Sequence, residues 1–197
     1  MTIFYRLGSN LYVNITNHCP CACVFCIRNY TSGVGDAQSL WLEHEPTIEE
    51  IKHAFHQRQD LTEIDEMVFC GYGEPMTRAK DVIDISAYIK ESIGAKIRIN
   101  TNGLVKLLAP SFDVSTLAVI DSISVSLNAD DAVEYMRLVN PQFGIDSYNA
   151  MLDFVKEAKK YTTVVLTVLN DLVPERIDNC RHLAKDLGLP LRIRGYM

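Results

Sequence analysis

Short β-type runs alternate with amphipathic helices along nearly the whole chain, and this alternation constrains the fold more than any other feature. The β-type runs are residues 11–16, 66–69, 96–100, 122–128, 163–169 and 191–194. Helical periodicity occupies 47–59, 79–93, 131–139, 147–160 and 174–187 between them. Their ends carry start and stop signals. Thr47 with Glu50 makes a capping-box pattern, Gly94 and Gly188 stand where helices finish, and Pro190 lies just beyond the last one. The connection 104–117 reads as a short helix broken by Pro110. Repeated strand–helix units imply an α/β fold, a parallel sheet with right-handed crossovers.

Side-chain parity within the strands chooses between a doubly wound sheet and a barrel-like arc. In 122–128, Ile123, Val125 and Leu127 alternate with Ser122, Ser124, Ser126 and Asn128. Ile97 and Ile99 likewise oppose Arg98, Asn100 and Asn102, and Val13 and Ile15 oppose Asn14 and Thr16. A parallel sheet covered on both faces reads as continuous apolar runs, so one polar face means that helices cover only the other. The expectation is a partial (β/α) barrel with helices outside and a wet, ligand-holding cavity within. Ahead of it, 3–7 and 11–16 flank Gly8-Ser9-Asn10 as an N-terminal hairpin. The longest loop, 29–46, carries Gly33, Gly35 and Trp41 and is a candidate lid. An arc of six strands has to be closed by that hairpin, that loop, a partner or a second subunit.

At 197 residues with 48% hydrophobic content, the chain suits one domain with a substantial core. A formal charge of −6 disfavours holding nucleic acid through phosphate neutralisation. No apolar run approaches the roughly 20 residues of a membrane helix, and Met1-Thr2-Ile3-Phe4-Tyr5-Arg6 lacks a signal-peptide layout. A cytoplasmic protein with no membrane segment is expected. In that reducing setting, thiols gathered in one loop are metal ligands more often than disulfides. Cys19, Cys21, Cys23 and Cys26 share one short loop behind the first parallel strand, where active sites of such folds gather.

Cys19, Cys23 and Cys26 have the spacing C-x3-C-x2-C. Those intervals also suit one face of a helix, but Pro20 fits only a helix's first turn. Three thiolates on a loop can each hold one iron of a [4Fe–4S] cube and leave the fourth open to another ligand. A non-catalytic module is the alternative, with structural zinc or a cluster that only carries electrons. The Cys-x-Cys intervals and the missing second cysteine pair weaken zinc.

The triplet, with Phe25 ahead of its last cysteine, resembles the signature of the radical S-adenosylmethionine (radical SAM) superfamily. Gly71-Tyr72-Gly73-Glu74-Pro75 is similar to that superfamily's Gly-Gly-Glu-Pro-type motif, and Asn100-Thr101-Asn102-Gly103 and the polar run 124–128 follow in the same order. The wording of 5–30 and 41–51 further resembles the short TatD-associated group of the superfamily. Tyr72, where glycine is commoner, and the additional Cys21 depart from the pattern. The resemblance implies a single core of (β/α)6 type over 1–197: hairpin and first strand in 1–18, cluster loop and lid in 19–46, the remaining barrel in 47–197. It implies that Cys19, Cys23 and Cys26 hold the cluster and that S-adenosylmethionine (SAM) chelates the open iron. Reductive cleavage would then give methionine and a 5′-deoxyadenosyl radical that abstracts hydrogen from a substrate. The implied partners are a low-potential reductant such as flavodoxin or ferredoxin and a substrate, either small molecule or protein. Glycyl-radical activases and 7-carboxy-7-deazaguanine synthases are the similar small enzymes.

By the same resemblance Gly71, Tyr72, Gly73 and Glu74 meet the SAM amino group, the glycines allowing close backbone approach and Glu74 orienting the turn. Ser124, Ser126 and Asn128, with Asn102 and Asn170, offer neutral donors and acceptors for a ribose or a carboxylate, with strand-end capping as the plainer role. Arg98, Arg192 and Arg194 share a lumen-facing parity that suits a substrate carboxylate or phosphate, against the alternative of solvated strand-end arginines. Tyr196 and Met197 would border the adenine. Cys21 reads as a spectator pointing outward, Cys70 and Cys180 as small core residues, and His53 and His56 as surface or packing histidines.

Overall fold

A computed structural model describes residues 1–195, and its strands lie side by side in sequence order. They are β1 (Phe4–Leu7), β2 (Asn10–Val13), β3 (Met67–Phe69), β4 (Ile97–Thr101), β5 (Ser122–Ser126), β6 (Thr163–Leu169) and β7 (Leu191–Arg194). β1 and β2 form the N-terminal hairpin, and every later pair is parallel. β1 and β7 are the edges, so the sheet is open. The helices are α1 (Ile48–His56), α2 (Ala79–Ile93), α3 (Val105–Leu108), α4 (Ala132–Val139), α5 (Asp146–Ala158) and α6 (Pro174–Asp186). The ambiguous stretch after β4 is α3 followed by a 3-10 helix, Val114–Val119.

Strand parity assigns the two faces. Val13, Phe69, Ile99, Ile123, Val125, Leu166 and Val168 point to one side and form a continuous core with Phe55 of α1, Ile85 of α2, Tyr135 of α4, Phe154 of α5 and Cys180 of α6. Truncating a buried phenylalanine of this layer to alanine costs about 3–5 kcal/mol. The other parity carries Arg98 beside Ser122, Asn100 beside Ser124, and Ser126 beside Thr167 and Arg192. Helices on one face and polar strand residues on the other make a partial (β/α) barrel, as parity implied. No helix among the described residues is long and apolar enough to cross a membrane.

Local chemistry sets the element ends. The capping box forms: Glu50 N–H donates to Thr47 Oγ1 at 3.2 Å and Thr47 N–H to Glu50 Oε2 at 2.8 Å. β2 stops at Val13, short of the expected residue 16, as Asn14 turns its amide to the carbonyls of Thr2 and Leu40. β5 stops at Ser126, and Asn128 takes a left-handed backbone with φ 59°.

The long loop is tied down rather than poised as a free lid. Arg6 and Asp36 exchange backbone-anchored bonds, Leu40 N–H donates to Ser32 O, and Asn17 bonds Leu42 in both directions. Its Leu40 packs with Tyr5 and Tyr72, and Tyr5 stacks on Tyr12 at 5.0 Å. Hairpin and loop together cover the polar face at the β1–β3 end. The expectation for Tyr196 and Met197 lies outside the described residues.

Candidate active site

The cysteine loop leaves the carboxyl end of β2 and is anchored from the far side of the domain. α4 ends at Asn140, whose left-handed backbone (φ 44°) turns the chain toward the loop. Ala22 N–H then donates to Val139 O (3.1 Å), Val24 N–H to Leu138 O (2.9 Å) and Gln142 N–H to Pro20 O (2.8 Å). Thr16 Oγ1 and Asn17 N–H donate to Glu45 Oε1, fixing the loop's entry. Arg28 Nη2 donates to Cys21 O at 3.2 Å. Cys26 N–H donates to Cys23 O, and a 3-10 turn, Ile27–Asn29, closes the loop.

All four thiols are free, and Cys19, Cys23 and Cys26 are half-buried. Cys21 does not point outward. It is 4% exposed, belongs to the core, and its Sγ accepts from Asn102 Nδ2 at 3.5 Å. Hydrogen bonding from the Cys21 thiol, with help from Arg28, lowers Cys19 to about 6 and lowers Cys23 too, while burial raises Cys26. Those same bonds hold Cys21 far on the protonated side. Among the described residues no three His, Cys, Asp or Glu side chains gather around a single ion-sized point. A four-iron cube spreads its corners, so its thiol ligands need no such convergence.

The segment behind β3 is clamped to that loop. Gly73 N–H donates to Thr16 O (3.0 Å) and Glu74 N–H to His18 O (2.7 Å). A Cβ on Gly73 would lie 2.4 Å from Thr16 O, and one on Gly71 2.0 Å from Asn14 Oδ1. The space those glycines leave is therefore taken by residues 14–18, which lead from β2 into the cysteine loop. Glu74 is 5% exposed; Oε1 accepts from Met76 N–H and Thr101 Oγ1, and Oε2 from Asn102 N–H at 2.7 Å. Burial raises its pKa to about 7, outweighing these donors. Asn102 is equally committed, its Oδ1 accepting from Leu104 N–H. Tyr72 turns its ring to Trp41, edge-on at 5.1 Å, and its hydroxyl donates to Thr31 O. Its backbone alone remains for a ligand.

The opposite strand ends are less committed. Ser124 is buried and accepts from Arg192 Nη2 at 2.7 Å. Ser126 is half-buried on the polar face and Asn170 is exposed at the end of β6. Asn128 is buried with an Oδ1 that has no hydrogen-bond partner. Arg98 pairs with Glu66 and donates to Asn100 Oδ1, so it is not free for a ligand. Cys70 is a second correction: it lies on the polar face, where Asn100 bonds it and Arg194 and Arg98 act on it, while burial keeps its thiol protonated. Cys180 is buried in the core, as expected, and burial pushes it up to about 12.

Tyr135 escaped the sequence reading. It is fully buried on α4, its hydroxyl has no partner, and burial and the nearby Cys21, Cys23, Glu74 and Cys19 raise its pKa. Its place in the helical spacing is that of an ordinary core residue. A pocket of ≈ 580 Å³ opens on the outer flank of Cys19, between His18, Glu45, Arg78 and Gln142. Its Arg78 is occupied by Ile15 O, Pro46 O and Asp81.

A family model for the radical SAM superfamily matches residues 13–187. The chain is a member of the radical SAM superfamily. A solved structure of TYW1 with a lysine-pyruvate adduct bound is similar in fold, with a TM-score of 0.66 at 15% identity over 96% of this chain and 65% of that one. Native anSMEcpe with bound AdoMet gives a TM-score of 0.59 at 13% identity over 94% of this chain and 50% of that one. The chain thus spans about two thirds and half of these two lengths. No curated protein matches it. The family model reaches the superfamily of enzymes and not the TatD-associated group.

Proposed function

We propose that the domain, a single radical SAM core over 1–197, binds a [4Fe–4S] cluster on Cys19, Cys23 and Cys26 and cleaves SAM reductively. The donor set fits: three free thiols, two drawn toward the thiolate by their neighbours, on a loop locked to Glu74 and Asn102. That interlocking of the cysteine loop with the 71–74 segment carries the reading. When bound, the cluster supplies a low-potential electron and SAM a 5′-deoxyadenosyl radical that takes hydrogen from the substrate.

The chain's own residues position and shield. Glu74 ties the segment after β3 to the end of β4, which fixes the 71–74 turn beside the cysteine loop. Asn128 Oδ1 and Ser126 offer an acceptor and a hydroxyl for the SAM ribose or carboxylate. Hairpin and long loop exclude water from the β1–β3 end. A cytoplasmic setting, a flavodoxin- or ferredoxin-like reductant, and membership of the TatD-associated group complete the proposal. Glycyl-radical activases and 7-carboxy-7-deazaguanine synthases are the enzymes to compare first.

Anaerobic reconstitution tests it. About four iron atoms per chain, with 5′-deoxyadenosine formed when dithionite and SAM are added, support the reading. Tightly bound colourless zinc, or iron without 5′-deoxyadenosine, refutes it.

A further inference from the structure

Three arginines share the polar face of a chain whose net charge is −6, and they are not equivalent. Arg98 is neutralised by Glu66 and also donates to Asn100. Arg192 reaches from β7 across β6 to Ser124 on β5. That bond shows which side of the sheet this parity of β7 faces. Arg194, two residues on, has the same parity and pairs with Leu169 at the carboxyl end of β6. It is half-buried, and among the described residues its guanidinium has no hydrogen-bond or ion-pair partner. The titratable groups acting on it are, largest first, the Cys70 thiol on the polar face, Arg192 and the Cys23 thiol. Withdrawal from water lowers its pKa.

A guanidinium carries five donors and never loses its charge in a protein. Keeping one out of water beside a like charge is unfavourable unless an anion completes the set. Carboxylate and phosphate do so through paired, charge-assisted bonds. We infer that Arg194, backed by Arg192, receives an oxyanion carried by the substrate, so that the hydrogen donor is a carboxylate or phosphate compound. The inference rests on the proposed reaction for its choice of the polar face as the substrate cavity. SAM carries a carboxylate of its own, which makes the cofactor the rival ligand.

The test uses reconstituted, SAM-saturated protein titrated calorimetrically with inorganic phosphate and, separately, malonate. Wild type is expected to bind at least one probe in the millimolar range or tighter, and the preferred probe tells phosphate from carboxylate. Arg194→Gln should weaken that binding about tenfold or more, Arg194→Lys should retain part of it, and SAM affinity should not move. Wild type that binds neither probe, Arg194 variants that bind as wild type does, or Arg194→Gln with weakened SAM affinity overturns the inference. If Arg194→Gln does not fold, the wild-type titration and Arg194→Lys decide alone. Iron content and 5′-deoxyadenosine yield of the same samples report on the radical reading separately: their loss with probe binding intact breaks that reading, and the converse breaks only the oxyanion site.

Discussion

The two halves of the barrel mouth treat their polar groups in opposite ways. At the ends of β2, β3 and β4, most donors and acceptors are used within the protein, Asn14 Oδ1 being a buried exception. Glu74 accepts from Met76, Thr101 and Asn102, Asn102 reaches Cys21, and the cysteine loop is bonded to residues 138–142. At the ends of β5, β6 and β7, Asn128 Oδ1 lacks a partner on a left-handed backbone, and the Arg194 guanidinium has none among the described residues. Buried polar groups without partners are rare, and each leaves a donor or acceptor available to a ligand or a water. The first half is built to hold one group at fixed geometry. The second is left open for molecules that come and go.

Substitutions in the first half should therefore damage the apoprotein or its metal, and those in the second only its ligand binding. The largest effect is expected at the ligands. Alanine at Cys19, Cys23 or Cys26 should bring iron after reconstitution to background, while Cys21→Ala should keep about four atoms per chain; equal loss at all four positions would erase the distinction. Glu74→Ala strands three donors and should cost the apoprotein about 3 kcal/mol in urea unfolding. The carboxyl also titrates. Its folded pKa of about 7 lies above the ordinary 4.5, so its contribution to stability is complete below 4.5 and is lost as pH rises through 7. Glu74→Gln should remove that step from the stability–pH profile.

Smaller effects sharpen the contrast. Gly73→Ala drives a methyl against Thr16 O and should cost about 2 kcal/mol, read in the same unfolding titration. Asn128→Gly relieves a left-handed side-chain residue and deletes an orphan acceptor, so apoprotein stability should change by less than about 1 kcal/mol while SAM affinity falls. Tyr135→Phe removes a buried hydroxyl with no partner and should leave stability equal or raised by up to about 1 kcal/mol. A clear loss at Asn128 would mean the second half is structural after all, and one at Tyr135 that its hydroxyl has a partner in the folded protein.

What the sequence made legible was whatever is encoded locally. The α2 boundaries, the Thr47–Glu50 capping box and the polar parity of β5 each depend on residues a few positions apart, and all appear in the structure. The direction of Cys21 depends on Asn102, 81 positions away, and the neutralisation of Arg98 on Glu66, 32 away. Cys70 shares the parity of Val68, but an apolar neighbour and a small thiol hide a strand's polar side. The glycine motif was visible, though not its reason: Gly71 and Gly73 make room for Asn14 and Thr16 of the protein itself. Tyr135 follows the spacing of an ordinary core residue, and only its unbonded hydroxyl beside the thiols sets it apart.

The electron paramagnetic resonance spectrum of the dithionite-reduced, reconstituted protein, recorded before and after SAM is added, addresses the central claim most directly. An iron left without a protein ligand should change its signal when the amino acid moiety of SAM binds it. A spectrum that SAM leaves untouched, at concentrations that saturate binding, would mean that all positions are already filled and that the three-cysteine site is not what this fold was built around.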